Sequence, residues 1–138
     1  MNKKLMTQIE TLCGECKSLE KARERFPGDW KLPKEADFQS WILQSLAKWR
    51  TAGNLPKGTF WWKESASPYQ RKGIPDILMV VAGSGRLCAF EVKRPFVGKA
   101  SDAQKMAISD LRAAGAVAAI VSFPSEVRDI LQKEGIYK

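Results

Sequence analysis

Residues 76–93 read DILMVVAGSGRLCAFEVK. Two apolar, β-branched runs, Ile77 to Val81 and Leu87 to Lys93, flank Gly83-Ser84-Gly85. Such runs read as strands, and the glycine-rich link between them as a tight turn, so the stretch is an antiparallel hairpin. With Gly83 and Ser84 as the turn residues, paired positions sum to 167 and Asp76 stands across from Glu91. Directly opposed residues on one face have Cβ atoms about 4.5–5.5 Å apart. Two carboxylates that close repel unless they share a proton or a cation. Glu91 and Lys93 are two apart on one strand and share a face, while Val92 points the other way, into the core. The pairing depends on the turn, since a one-residue slip sends one acid to the opposite face.

Upstream of the hairpin, Phe38, Trp41, Ile42, Leu46 and Trp49 form the buried stripe of a helix over about 34–50, stopped at Ala52-Gly53-Asn54. Glu35 opens this helix, three residues before Phe38 and on the same side. Residues 59–64 read as a strand, and Ser65 to Pro75 as a polar, turn-rich connection. Downstream, a helix runs from Ser101 to about Ala114 and Gly115 stops it; a strand covers 117–123 and a helix 125–134. A meander followed by a strand–helix–strand crossover predicts an α/β fold with a mixed sheet. Before all this, Leu5, Ile9, Leu12, Cys16 and Leu19 make an apolar seam in a helix expected over 3–25. That seam suits packing on the domain, or pairing with a second chain. The expected division is a helical extension over 1–30 and the main domain over 31–138.

The bulk properties bound the chemistry. A chain of 138 residues suits one core. No apolar run reaches the ~20 residues needed to span a bilayer, and no secretory signal follows the N-terminus, so a soluble, cytoplasmic protein is expected. Cys13 and Cys16 form a single CxxC on a helical pattern, and Cys88 stands alone, which favours a plain helix face over a zinc site. Histidine is absent, which excludes Ser-His-Asp and Cys-His catalysis and His-based metal sites. Hydrolytic chemistry would have to rest on carboxylates, lysine and a hard metal ion. The net charge of +8 points to a polyanionic partner, most often nucleic acid.

An acid pair beside a lysine supplies what phosphodiester hydrolysis needs: a place for a metal that polarises phosphate and water, and a cation near the attacking water. Gly73-Ile74-Pro75-Asp76 followed by Glu91-Val92-Lys93 resembles the PD-(D/E)XK nuclease signature. Glu35, the run Pro95…Gly98-Lys99…Ser101…Gln104, and Gly115…Val121-Ser122…Glu126-Val127…Leu131 narrow the resemblance to the VRR-NUC family, over about residues 34–131. The resemblance implies a restriction-endonuclease-like αβββαβ core, here with an extra N-terminal helix and a C-terminal helix. It implies a Mg²⁺- or Mn²⁺-dependent endodeoxyribonuclease acting on branched or flapped DNA. Stand-alone phage-type or bacterial members are similar to Holliday junction resolvases in DNA repair and work as homodimers. By the same resemblance Glu35, Asp76, Glu91 and the Val92 carbonyl would bind the metal, Lys93 would serve the attacking water, and Gln104 would assist.

Lys63, Arg71, Lys72, Arg94, Lys99 and Lys105 flank this set and are natural phosphate contacts. Bland readings stand beside these. Glu35 suits a helix N-terminus by charge alone. Gln104 suits a capping box with Ser101. Trp61, Trp62 and Tyr69 suit a core, or a stacking surface for unpaired bases. A flap or single-strand nuclease on the same core, and a basic DNA-binding module without turnover, are the competing functions. Acids beside phosphate argue against the last.

Overall fold

A computed structural model describes residues 1–65, 67–69 and 71–138. The core order is α3 (Glu35–Thr51), β1 (Phe60–Lys63), β2 (Ile77–Val80), β3 (Leu87–Val92), α4 (Asp102–Ala113), β4 (Val117–Val121) and α5 (Pro124–Lys133). Helices α1 (Lys3–Glu15) and α2 (Leu19–Arg25) precede it. This is the expected αβββαβ arrangement, with two helices before it and one after. The strands lie in the order β1-β2-β3-β4. The first three are antiparallel neighbours, and β4 returns parallel to β3 through α4.

The hairpin register is the one read from the sequence: Ile77 pairs with Phe90 and Val80 with Leu87. The turn itself is wider than two residues. Val81 N–H bonds to the Arg86 carbonyl and Gly85 N–H to the Val81 carbonyl, leaving residues 82–85 as the loop. The centre of the loop stays between Gly83 and Ser84, so the register is kept.

Alternation along the strands separates two layers. Ile77, Met79, Cys88, Phe90 and Val92 point into the main core, where they meet Phe38, Ile42 and Leu46 of α3 and Val127 and Leu131 of α5. On the other face, Ala89 and Ala118 pack under Ile108 of α4, with Leu78 and Leu111 at the margin. Helix α4 lies on β3 and β4. The same face of β1 extends beyond it, and Phe60 there is 62% exposed.

The single N-terminal helix expected over 3–25 is instead two. Cys16 is extended, and its N–H bonds to the Leu12 carbonyl at the end of α1. Ser18 then caps α2 by accepting the Lys21 N–H. The apolar seam continues in phase across this break, so periodicity alone hides it, whereas serine favours a cap over a helix interior. An Arg25–Glu15 ion pair of 2.7 Å ties the two helices together. Of the seam, Ile9 and Leu12 are buried while Leu5, Cys16 and Leu19 are half-buried, and Met6 beside it is fully buried in the main core. Cys13, Cys16 and Cys88 are free thiols. No helix among the described residues is long and apolar enough to cross a membrane.

Two phenylalanines test this layer assignment. Phe38 is fully buried, so Phe38→Ala should lower stability by about 3–5 kcal/mol. Phe60→Ala, on the exposed face, should cost less than about 1 kcal/mol. Urea unfolding of both variants would check the contrast, and equal losses would contradict it.

Candidate active site

The site begins with a proline. In an antiparallel ladder, hydrogen-bonded and non-bonded pairs alternate. With Val81 bonded to Arg86, the bonded pairs fall at 79/88, 77/90 and next at 75/92. Pro75 has no N–H to give, so the ladder weakens here. The Val92 N–H goes instead to Asp76 Oδ2 at 2.8 Å. In the continued register Asp76 faces Glu91 as a non-bonded pair, the closer kind, with Cα atoms about 4.5 Å apart. On its other side, Asp76 pairs with Glu64, whose N–H donates to the Asp76 carbonyl at 2.7 Å.

Glu91 is 1% exposed. Its Oε1 accepts from Gln104 Nε2 at 2.6 Å and lies 3.6 Å from Lys93 Nζ. Its Oε2 is buried without a hydrogen-bond partner among the described residues. Burial, above all, pushes the Glu91 carboxyl up to about 8; the Asp76 charge adds to this, Glu35 contributes, and Lys93 opposes it. Lys93 Nζ also lies 3.8 Å from Glu35 Oε1, bridging the first turn of α3 to the end of β3.

Backbone packing holds these groups. Gly73 has φ +85°, and a Cβ there would lie 2.4 Å from the Ala103 carbonyl oxygen. Only glycine lets the loop before Asp76 lie on the first turn of α4, beside Gln104. Gly98 folds back on Lys93: a Cβ there would meet the Arg94 backbone at 2.6 Å and the Lys93 Cβ at 2.9 Å. Ser122 Oγ donates to the Lys93 carbonyl at 2.7 Å. Gln104 makes the capping box read from the sequence and also contacts Glu91. Its Oε1 accepts the Ser101 N–H in a capping box, and its Nε2 reaches Glu91.

Thus Glu91 has Gln104 and Lys93 at its Oε1, Glu35 joins through Lys93, and Asp76 faces the pair. The basic residues are more scattered. Arg71 and Lys72 line a cleft of about 230 Å³ with Asp76 and Gln104. Lys105 lines a separate hollow over β4. Lys63 and Lys99 are exposed and Arg94 is half-buried. A hollow of about 830 Å³ lies at the hairpin-turn end of the sheet, away from the acids. Glu64 escaped the sequence reading as a site residue, and Ser122 entered it only as part of the family pattern, with no role given.

A metal ion suits the arrangement in part. Among the described residues no three Cys, Asp or Glu side chains converge into a closed cage. Mg²⁺, however, commonly uses one or two carboxylates and completes its shell with water and phosphate. The unpartnered Glu91 Oε2 facing Asp76 supplies a two-carboxylate corner of that kind.

No known protein-family model and no curated protein matches the sequence. Solved structures do. One titled "VRR_NUC domain" is 21% identical, with a TM-score of 0.53, over 71% of this chain and 94% of that one. Another, titled "VRR_NUC domain protein", is 19% identical with a TM-score of 0.53, over 74% and 88%. The chain therefore has the fold of VRR_NUC domains, a restriction-endonuclease-like α/β fold with an open mixed sheet.

Glu91 makes stability depend on pH in a defined direction. The folded state holds its proton more tightly than the unfolded chain, whose glutamate titrates near 4.5. Its contribution to stability is complete below that value and is lost as pH rises through about 8. Unfolding in EDTA should show Glu91→Gln gaining on the wild type from pH 5 to 9. A pH-independent difference would contradict the buried acid.

Proposed function

We propose that the protein is a metal-dependent DNA endonuclease selective for branched DNA, of the Holliday-junction-resolvase kind. The observation that carries this reading is the facing pair Asp76 and Glu91, with a buried oxygen lacking a donor, beside Lys93. Asp76 and Glu91, with the Val92 carbonyl, would hold Mg²⁺ or Mn²⁺, and Glu35 would complete the set or hold Lys93. When bound, the metal supplies Lewis-acid polarisation of phosphate and water. The chain's own groups do the rest. Gln104 fixes Glu91 Oε1 and leaves the buried Oε2 for the cation. Lys93 orients the attacking water and offsets the charge that grows on the phosphoryl oxygens. A water oxygen forms the new bond to phosphorus, and the bond to one bridging oxygen breaks. Arg71 and Lys72 hold the backbone at the mouth of the cleft, with Lys63, Arg94, Lys99 and Lys105 as outer phosphate contacts.

A four-way junction has two opposed strands to cut, which suits a two-fold homodimer with one site per strand. The exposed aromatic side chain on β1 favours a second reading, a flap or single-strand nuclease on the same site. A phage or bacterial cytoplasm is the setting this reading expects.

Labelled junction, flap and linear duplex, each with Mg²⁺, Mn²⁺ or EDTA, separate these readings. Symmetric, metal-dependent cutting of the junction is expected, with Lys93→Ala slower by about 10²–10⁴-fold. Cutting of the flap alone would move the reading to the second substrate. Salt-sensitive binding with no cutting of any DNA would replace the nuclease with a binding module.

A further inference from the structure

The face of the sheet that carries the acids continues onto β1. Directly opposed residues share a face, and so do residues two apart along a strand. Glu64, Asp76 and Glu91 therefore form one row, and Trp62 and Leu78 the next. Phe60 and Val80 form the row after that. Helix α4 covers the β3–β4 part of this face, but Phe60 stands out at 62% exposed. Trp61 is the contrast. It points to the opposite face, where it packs on the main core with the Arg50 guanidinium 4.3 Å from its ring centre.

Phe60 and Trp62 make one aromatic surface. Their ring centres are 5.8 Å apart and their planes are inclined by 37°. The Trp62 indole is held in place by its Nε1–H bond to Glu64 Oε1, at 2.6 Å. A half-wet aromatic pair gains little for the fold, because Phe60 leaves most of its surface in solvent. The patch is also small for a protein interface. Two aromatic side chains bury at most about 500 Å², whereas a stable interface takes about 800 Å² per partner. Its position is informative. Glu64, which holds the Trp62 indole, lines the cleft together with Arg71, Lys72 and Asp76.

We infer that Phe60 and Trp62 form a stacking platform for unpaired nucleobases, reached by the strand whose phosphate lies at Asp76 and Glu91. From strand spacings, Trp62 lies about 8–12 Å along the sheet from the acids, a reach of about one or two nucleotides. The platform accepts any base, since every base has a π-face. It selects for unpaired DNA next to the cleaved bond and against continuous duplex, whose bases are already stacked. This rests on the nuclease reading for the position of the phosphate, not for the stacking itself.

Binding in EDTA separates the two. Fluorescence anisotropy would compare a labelled oligo-dT with a blunt duplex of equal length, for the wild type, Phe60→Ala and Phe60→Tyr. Phe60→Ala should weaken oligo-dT binding by about 5- to 100-fold and change duplex binding less than about twofold. Phe60→Tyr should bind as the wild type does, and thermal melts of both variants should show them folded. Unchanged oligo-dT binding by Phe60→Ala, or an equal loss on both DNAs, would overturn the platform. So would a wild-type dimer that Phe60→Ala converts to monomer with DNA binding intact, which assigns the face to a second copy. Aromatic-dependent oligo-dT binding by a protein that cuts no DNA would uphold the platform and remove the nuclease.

Discussion

Two carboxyl groups face each other at the end of the β2–β3 hairpin, and one of them is sealed from water. Burying a charged carboxylate is costly unless it is paired, and a second acid opposite raises that cost. The fold meets this constraint with two neighbours. Gln104 comes from α4 and Lys93 from the end of β3, while Glu35, in the first turn of α3, shares that lysine. These neighbours satisfy one Glu91 oxygen and leave the other without a donor. A purely structural acid would be expected to bond through both oxygens. The unmet oxygen is therefore the feature that ties the fold to a cation or a proton.

Much of the frame depends on where ordinary pairing stops. Pro75 ends the β2–β3 ladder, since it has no N–H for the Val92 carbonyl, and beside it the Val92 N–H bonds to the Asp76 carboxylate. Gly73 brings the preceding loop down onto α4, and Gly98 turns the chain after Lys93 back against it. Small local exceptions to sheet geometry thus hold the acid pair, the lysine and the amide at one corner. The cleft lies at that corner, and the larger hollow at the opposite end of the sheet has no comparable group of acids.

The hairpin was legible because its signals agree: alternating apolar runs, a glycine-rich centre and a register that puts every core residue on one face. The helices after it were legible from their stops and caps. The break between α1 and α2 was not, since Leu5, Ile9, Leu12, Cys16 and Leu19 keep helical phase straight through it. The double duty of Gln104 was half legible. Ser101 three residues earlier announces the capping box, but no local pattern tells which strand side chain lies beneath the amide. The exposure of Phe60 was also hidden. Residues 60–62 are aromatic on both faces of β1, and which face is covered depends on how α4 docks two strands away. The spread of the basic residues follows the same logic. Lys105 and Gln104 are adjacent in sequence, yet on a helix they point into different hollows.

The central claim is that Asp76 and Glu91 together make a cation site. Calorimetric titration of Mn²⁺ into the DNA-free protein tests it most directly, with Asp76→Asn and Glu91→Gln alongside. Saturable binding at one site per chain is expected, lost in both variants, with proton release that grows as the pH falls below about 8, to which burial pushes the Glu91 carboxyl. Binding that survives both substitutions, or no binding to the wild type, would contradict it.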